Sequence, residues 1–488
     1  MGAILSVGCA MKYTKSSLYI TLVAALALAS CSGLPKGTTG GGGGGGGTNG
    51  NTFLNVTVTS TPSSTFSFAA LNWSIGALSL TSSAGASASI GSTPSPTFDF
   101  VRLQTDSANL GHSSIPATSY TSLQVQFNAP LSSYFYNSSN ATLLGCLAGN
   151  VCLIPNTVTG FGANTVNVPI TLTTTANANT GIRINFDLSK AVTTTGGMTF
   201  DFTQAGAITV TTLPPTSSQT SGIDTIDNFT GVVTATSGST VTVSSFSSPS
   251  PRTFTVASNA EFDDPFSVCS GQASLNCLAP NQNISLDGVL NADGTMTANE
   301  VDFLDRAPAV NELEGVIITP LSGNQFKMAL TNGMGTTGLS VGTTVTVNLN
   351  GAEIYLVDPK SLQISDSVTG FLSQGDLVMG QTVMIQAGTF NGTNTSITNP
   401  SRVLLRYSSI GGTVETPGSP DFGLGEVSPF LVNLIGNSLQ VATFPTTAYD
   451  NITSDSMSTG TNTSVRGLYL NPNSGASQPL LAAKVRTH

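Results

Sequence analysis

Three stretches from residue 229 onward open alike: FTGVVTATSGSTVTV from Phe229, LEGVIITPLSGNQFKM from Leu313 and IGGTVETPGSPDFGL from Ile410. Repetition constrains a chain more than any single motif, because each copy must form one unit of structure. Each copy continues into a strand that runs to an aromatic and an acid: FTVASNAEFDD, VTVNLNGAEIYLVD and LQVATFPTTAYD. Each then closes on a hairpin pattern: LDGVLNADGTMTANEVDFLDR, IQAGTFNGTNTSITNPSRVLLRY and VRGLYLNPNSGASQPLLAAKVRTH. By their numbers the opening glycines Gly231, Gly315 and Gly412 stand 84 and 97 residues apart. Units of about five strands at this length are large enough to be small barrels with their own cores. A glycine early in each opening strand predicts a bulge or a tight bend at a barrel corner. The repeats are placed at 226–308, 312–407 and 409–488.

Residues 53–217 read as a β-sandwich domain ahead of the repeats. FLNVTVTS alternates Leu54, Val56 and Val58 with polar neighbours, and TSLQVQF alternates Leu123, Val125 and Phe127. Period two is the signature of a half-buried strand. The sole tryptophan, Trp73, reads as core. Composition agrees: charged residues are 8% of the chain, against about 25% in typical soluble domains, while hydrophobic residues are 39%. Ser, Thr, Asn and Gly take the place of charge, which suits β faces and turns and disfavours long helices. The fold class is therefore all-β: an N-terminal β-sandwich followed by three small β-barrel-like, OB-like repeats.

The first 30 residues read as a secretory signal, with Met11 as the true start: Lys12 and Lys15, the apolar run Leu18 to Leu28, then Ala29-Ser30. The run is shorter than the roughly 20 residues that span a bilayer. Leu28-Ala29-Ser30-Cys31 resembles the bacterial lipobox, which implies diacylation of the Cys31 thiol and cleavage before it. Residues 31–52 then form a tether that includes eight consecutive glycines, Gly40 to Gly47. A flexible coil of about 20 residues has ends about 25 Å apart. Residue 32 is Ser rather than the Asp that retains many lipoproteins at the inner membrane, so the expected address is the outer membrane, reached through the N-terminal lipid. Without the leader the chain keeps 25 acidic residues and loses Lys12 and Lys15 from its 15 basic ones. Nucleic-acid affinity comes from basic side chains on phosphates, and no basic stripe exists, so nucleic acid is excluded as a partner.

Of the six cysteines, Cys9 precedes the mature chain and Cys31 carries lipid. Cys146 with Cys152, and Cys269 with Cys277, read as two local disulfides of an exported protein. A zinc site would need further ligands and shorter spacing, so no metal and no cofactor is expected. In NADGTMTANE, Asn291, Asp293, Gly294 and Glu300 imitate a calcium loop, but position one would be Val289, with no oxygen ligand; a tight turn accounts for the pattern. The aromatic-acid elements offer Phe262 with Asp263, Tyr355 with Asp358, and Tyr449 with Asp450 as ligand-binding candidates. The alternative for each is a core aromatic beside a turn-capping Asp. The histidines are His112 and His488; His112 reads as a solvent-satisfied loop residue, and no catalytic residue is assigned.

Two family resemblances follow from these segments. FDFVRLQTD, SIPATSYTSLQVQF and GIRINFDLSKAVTTTGGMTFDF resemble domain of unknown function 4382 of bacterial exported lipoproteins, although this chain has Thr61-Pro62 where members carry Asp-Ala-Pro. The repeats resemble domain of unknown function 5666. The expected function is a lipid-anchored envelope protein acting as a non-enzymatic binding or structural module, with a glycan or an envelope protein as partner. The alternatives are a secreted carbohydrate-active enzyme using paired carboxylates and an envelope assembly accessory.

Overall fold

The computed structural model describes residues 50–488 apart from 64, 91–96, 129–131, 155–157, 160–164, 196, 217–221, 246–247, 265–267, 305–310, 336–338, 352, 358–370, 387, 419–420, 430, 433–437, 454–455 and 473–478. Residues Asn49–His488 form one compact unit, and it is built almost entirely of strands.

Two large sheets and a small three-stranded one (Val192–Thr193, Thr199–Asp201 and Val158–Thr159) make up the N-terminal part. One large sheet has the order Ile208–Thr216, Asn179–Asp187, Asn51–Thr61, Ala108–Pro116. The other is organised around the long strand Ser67–Ser82, which pairs with Ser119–Phe127 on one side and Ser132–Tyr136 on the other. The alternation read from FLNVTVTS places Leu54, Val56 and Val58 in the core, each fully buried. Trp73 sits at its centre, its ring against Phe100, Phe200 and Phe202, while Nε1 donates to Ser133 Oγ at 2.9 Å. A buried indole N–H costs free energy unless it finds such a partner.

The first repeat is a closed five-stranded barrel: Gly222–Ser237, Thr240–Ser245, Ser248–Asp263, Met296–Phe303 and Asn283–Asn291. The third repeat makes the same circuit through Ser408–Thr416, Phe422–Gly425, Leu439–Ala442, Leu480–Thr487 and Asn462–Tyr469. In the second, the closing strand is split into Ser396–Thr398 and Arg402–Arg406 around Pro400, whose missing N–H cannot join a ladder. Each repeat encloses its own apolar cluster.

The opening glycines occupy the corners that the sequence predicts. A Cβ at Gly231, Gly315 or Gly412 would strike the carbonyl oxygen of Ser244, Ala329 or Gly425 on the adjoining strand. The ladder slips at Gly315 itself and just beyond the other two, between Val233 and Ala235 and between Val414 and Thr416. Only a residue without a side chain lets two backbones approach this closely.

Candidate functional site

Register explains the aromatic-acid elements. Phe262, Tyr355 and Tyr449 occupy equivalent positions, each paired in parallel with a valine of the closing strand: Val301, Val403 and Val485. Each ring packs against the core of its own repeat. The next position points to the other face of the strand and holds Asp263, Leu356 and Asp450, opposite Asp302, Leu404 and Arg486. The equivalent of the two acids in the second repeat is thus Leu356, which joins Leu304, Met384 and Leu404 in an apolar contact between repeats. Asp358 and Cys31 lie outside the described residues. Cys146 is bonded to Cys152 and Cys269 to Cys277, with Cα separations of 5.8 and 5.4 Å. At the hairpin tip, Asp293 Oδ1 accepts from Thr295 N and Oγ1 at 2.9 and 2.6 Å, and Gly294 has φ +83°. That is a tight turn stabilised by its own side chain.

His112 is not a loop residue. It lies on the strand Ala108–Pro116, where its Nδ1 is 2.9 Å from Asn55 Oδ1 and its ring stacks on Phe53 at 5.3 Å. The Asn55 amide donates to Ala292 O at 2.7 Å, so its oxygen faces the imidazole, and Nδ1 carries the donated proton. Burial lowers the His112 pKa and Asp293 opposes the shift. The residue belongs to a junction between the N-terminal sheets and the first repeat.

Asp450 opens a chain of charges that runs across several modules. Arg486 Nε and Arg183 Nη1 donate to its two carboxylate oxygens at 2.8 and 3.2 Å, and Arg183 Nη2 reaches Asp224 Oδ1 at 2.7 Å. Arg486 also donates from Nη1 to Asp106 O at 2.8 Å and from Nη2 to Ser107 Oγ at 2.9 Å. Burial pushes the Asp450 carboxyl up, and Arg486, Arg183 and Lys484 outweigh it, taking the pKa down to about 2. Asp106 in turn accepts from Arg466 Nη1 at 3.1 Å, and the Arg466 guanidinium lies 4.9 Å over the ring of Tyr407.

Beyond Arg466 this seam opens into a cleft of about 170 Å³ between the N-terminal sheets and the second and third repeats. A short 3₁₀ turn, Arg102–Gln104, supplies one wall. Asp99 anchors the turn, its Oδ1 accepting from Leu71 N at 3.0 Å and Val101 N at 3.1 Å. Burial raises the Asp99 pKa, and Arg102 and those amides only partly offset it. Glu314, on the opening strand of the second repeat, bridges two arginines: Arg102 Nη2 donates to Oε1, and Arg406 Nε donates to Oε2 at 3.2 Å. Burial alone would raise the Glu314 pKa; the two guanidiniums reverse that and lower it. The other side of the cleft is apolar, with Phe66, Phe68, Ile318, Ile410 and Leu431. Sequence reasoning did not single out Arg102, Glu314, Arg406 or Arg466, which stand 60 or more residues apart along the chain.

Residues 230–302 match the family model described as Domain of unknown function (DUF5666). The match covers most of the first repeat, from within the opening strand Gly222–Ser237 to near the end of Met296–Phe303. No curated protein matches the chain.

Proposed function

We propose that this protein is a lipid-anchored module of a bacterial cell envelope that binds a ligand without transforming it. Cys31 carries the lipid, and the glycine-rich tether holds the β body off an outer-membrane surface. The ligand is a glycan or a neighbouring envelope protein, engaged at the cleft between the N-terminal sheets and the repeats. The N-terminal part is read as a member of domain of unknown function 4382, on the segments that resemble it.

One observation carries the non-enzymatic reading: the acids of the cleft are already committed. Asp99 accepts from two backbone amides, Asp106 from Arg466, and Glu314 from Arg102 and Arg406. Glycosidases of the common kind need one carboxyl that protonates the leaving oxygen and a second, free carboxylate that activates water or attacks the sugar. Carboxylates locked to guanidiniums instead give a fixed polar surface, which suits recognition by preorganisation.

The test is a glycan and envelope-extract binding screen with purified mature protein, followed by mass spectrometry of whatever it retains. Retained ligands of unchanged mass are the expected result. Products shortened by one or more sugar units would replace this reading with a carbohydrate-active enzyme.

A further inference from the structure

We propose that the cleft is a seat for one small carboxylate, and that Arg102 holds the carboxylate group. This deepens the binding-module reading and rests on it. Arg102 differs from the other guanidiniums of the cleft in exposure: 25% of its side-chain surface is accessible, against 2% for Arg406 and 4% for Arg466. Its neighbours fix it without consuming it. Nη2 donates to Glu314 and Nε stands 4.0 Å from Asp99 Oδ2, while Nη1 makes no hydrogen bond to any described residue. Nor does Glu314 neutralise it alone, because that one carboxylate is shared with Arg406.

A guanidinium held on one edge and open on the other has its planar donors already oriented for a second carboxylate. The order imposed by Glu314 and Asp99 removes much of the entropic cost that a free arginine would bear on binding. The remaining surface sets the body of the ligand. Phe66, Phe68, Ile318, Ile410 and Leu431 offer contact to an apolar ring or branched chain. The size agrees: the cleft measures about 170 Å³, and an apolar cavity of about 150 Å³ takes up benzene. Two sources offer this chemistry, a free aromatic or branched acid and the uronic acid terminus of a glycan. The affinities for benzoate and glucuronate tell them apart.

Isothermal titration of the purified mature protein with benzoate, benzamide and glucuronate tests the seat. Benzoate is expected to bind at least about tenfold more tightly than benzamide, which has the same shape and no charge. Arg102→Gln is expected to reduce the affinity for the acid by at least about tenfold and to leave benzamide unaffected, with Arg102→Lys between the two. Thermal melts accompany both variants; the lysine variant keeps the charge beside Glu314 and serves if the glutamine variant fails to fold. Arg102-dependent binding of glucuronate in place of benzoate supports the seat and identifies its source as an acidic sugar. Equal affinity for benzoate and benzamide, binding of neither acid, or affinities unchanged in both variants would overturn it. A protein that binds neither acid yet still retains other envelope ligands would leave the broader binding reading intact.

Discussion

His112 packs against Gly294 so closely that a Cβ on the glycine would stand 2.7 Å from His112 Cβ and Cγ. The contact joins a strand of the N-terminal sheets to the hairpin tip of the first repeat. The other repeats present glycines to the same partner: Tyr134 covers Gly342 and Pro62 covers Gly411. Each repeat thus meets the N-terminal part at a point where no side chain fits.

Alanine at Gly294 therefore meets two obstacles, a positive φ of +83° and the imidazole. Gly238 has φ +57° with nothing within 4 Å of its Cβ position, which makes it the control for backbone strain alone. Gly238→Ala is expected to cost about 1 kcal/mol and Gly294→Ala about 2 to 4 kcal/mol. Chemical denaturation of both variants measures the difference.

A corner glycine should be less tolerant still, because the obstacle is backbone. At Gly315 a Cβ would meet the Ala329 carbonyl and then Leu330 Cα at 3.3 Å, neither of which can rotate away. Gly315→Ala is expected to destabilise by about 3 kcal/mol or more, read as a lowered unfolding midpoint with an unchanged denaturant slope.

These two glycine classes mark how far the sequence could be read. The corners at Gly231, Gly315 and Gly412 were legible because three aligned copies repeat the same backbone demand. The cores were legible because alternation writes burial directly into strands such as Ser119–Phe127. The cleft was not. Arg102 and Glu314 are separated by 212 residues, and nothing in either segment's local pattern announces that the second repeat will dock on the N-terminal part with those side chains facing each other. His112 misled for the same reason: its surroundings in sequence look like a loop, and the partner that buries it belongs to another module.

Acid should loosen the seam through Asp450. Its folded pKa is about 2, against an ordinary value of 3.8. A depressed folded pKa contributes stability that is fully present above the unfolded value and is lost as pH falls through the folded one. For this carboxylate the contribution is about 2 kcal/mol, present above about pH 4 to 5 and gone near pH 2. Asp450→Asn should flatten that part of the pH profile. It should also cost about 3 to 5 kcal/mol at neutral pH, because Arg486 and Arg183 lose a buried partner. Urea unfolding between pH 2 and pH 7 reads both effects.

Reduction of the disulfides should have a smaller, local effect. Cys146 and Cys152 close a loop with a sequence separation of 6, for which chain-entropy arguments give about 2 kcal/mol. Cys146→Ser with Cys152→Ser is expected to lower the melting temperature by about 2 °C, while the affinity of the cleft, which this hairpin borders through Tyr136 opposite Val151, stays unchanged. A loss of binding in that double variant would show that the loop contributes to the seat.

The central claim is a membrane-tethered binding body, and the N-terminal peptide of the mature protein tests it most directly. Mass spectrometry of protein isolated from its native membranes is expected to show a chain that begins at Cys31 and bears a diacylglyceryl thioether, together with an acylated amino terminus. A free Cys31 thiol, or a mature chain that retains the apolar segment before it, would contradict the account.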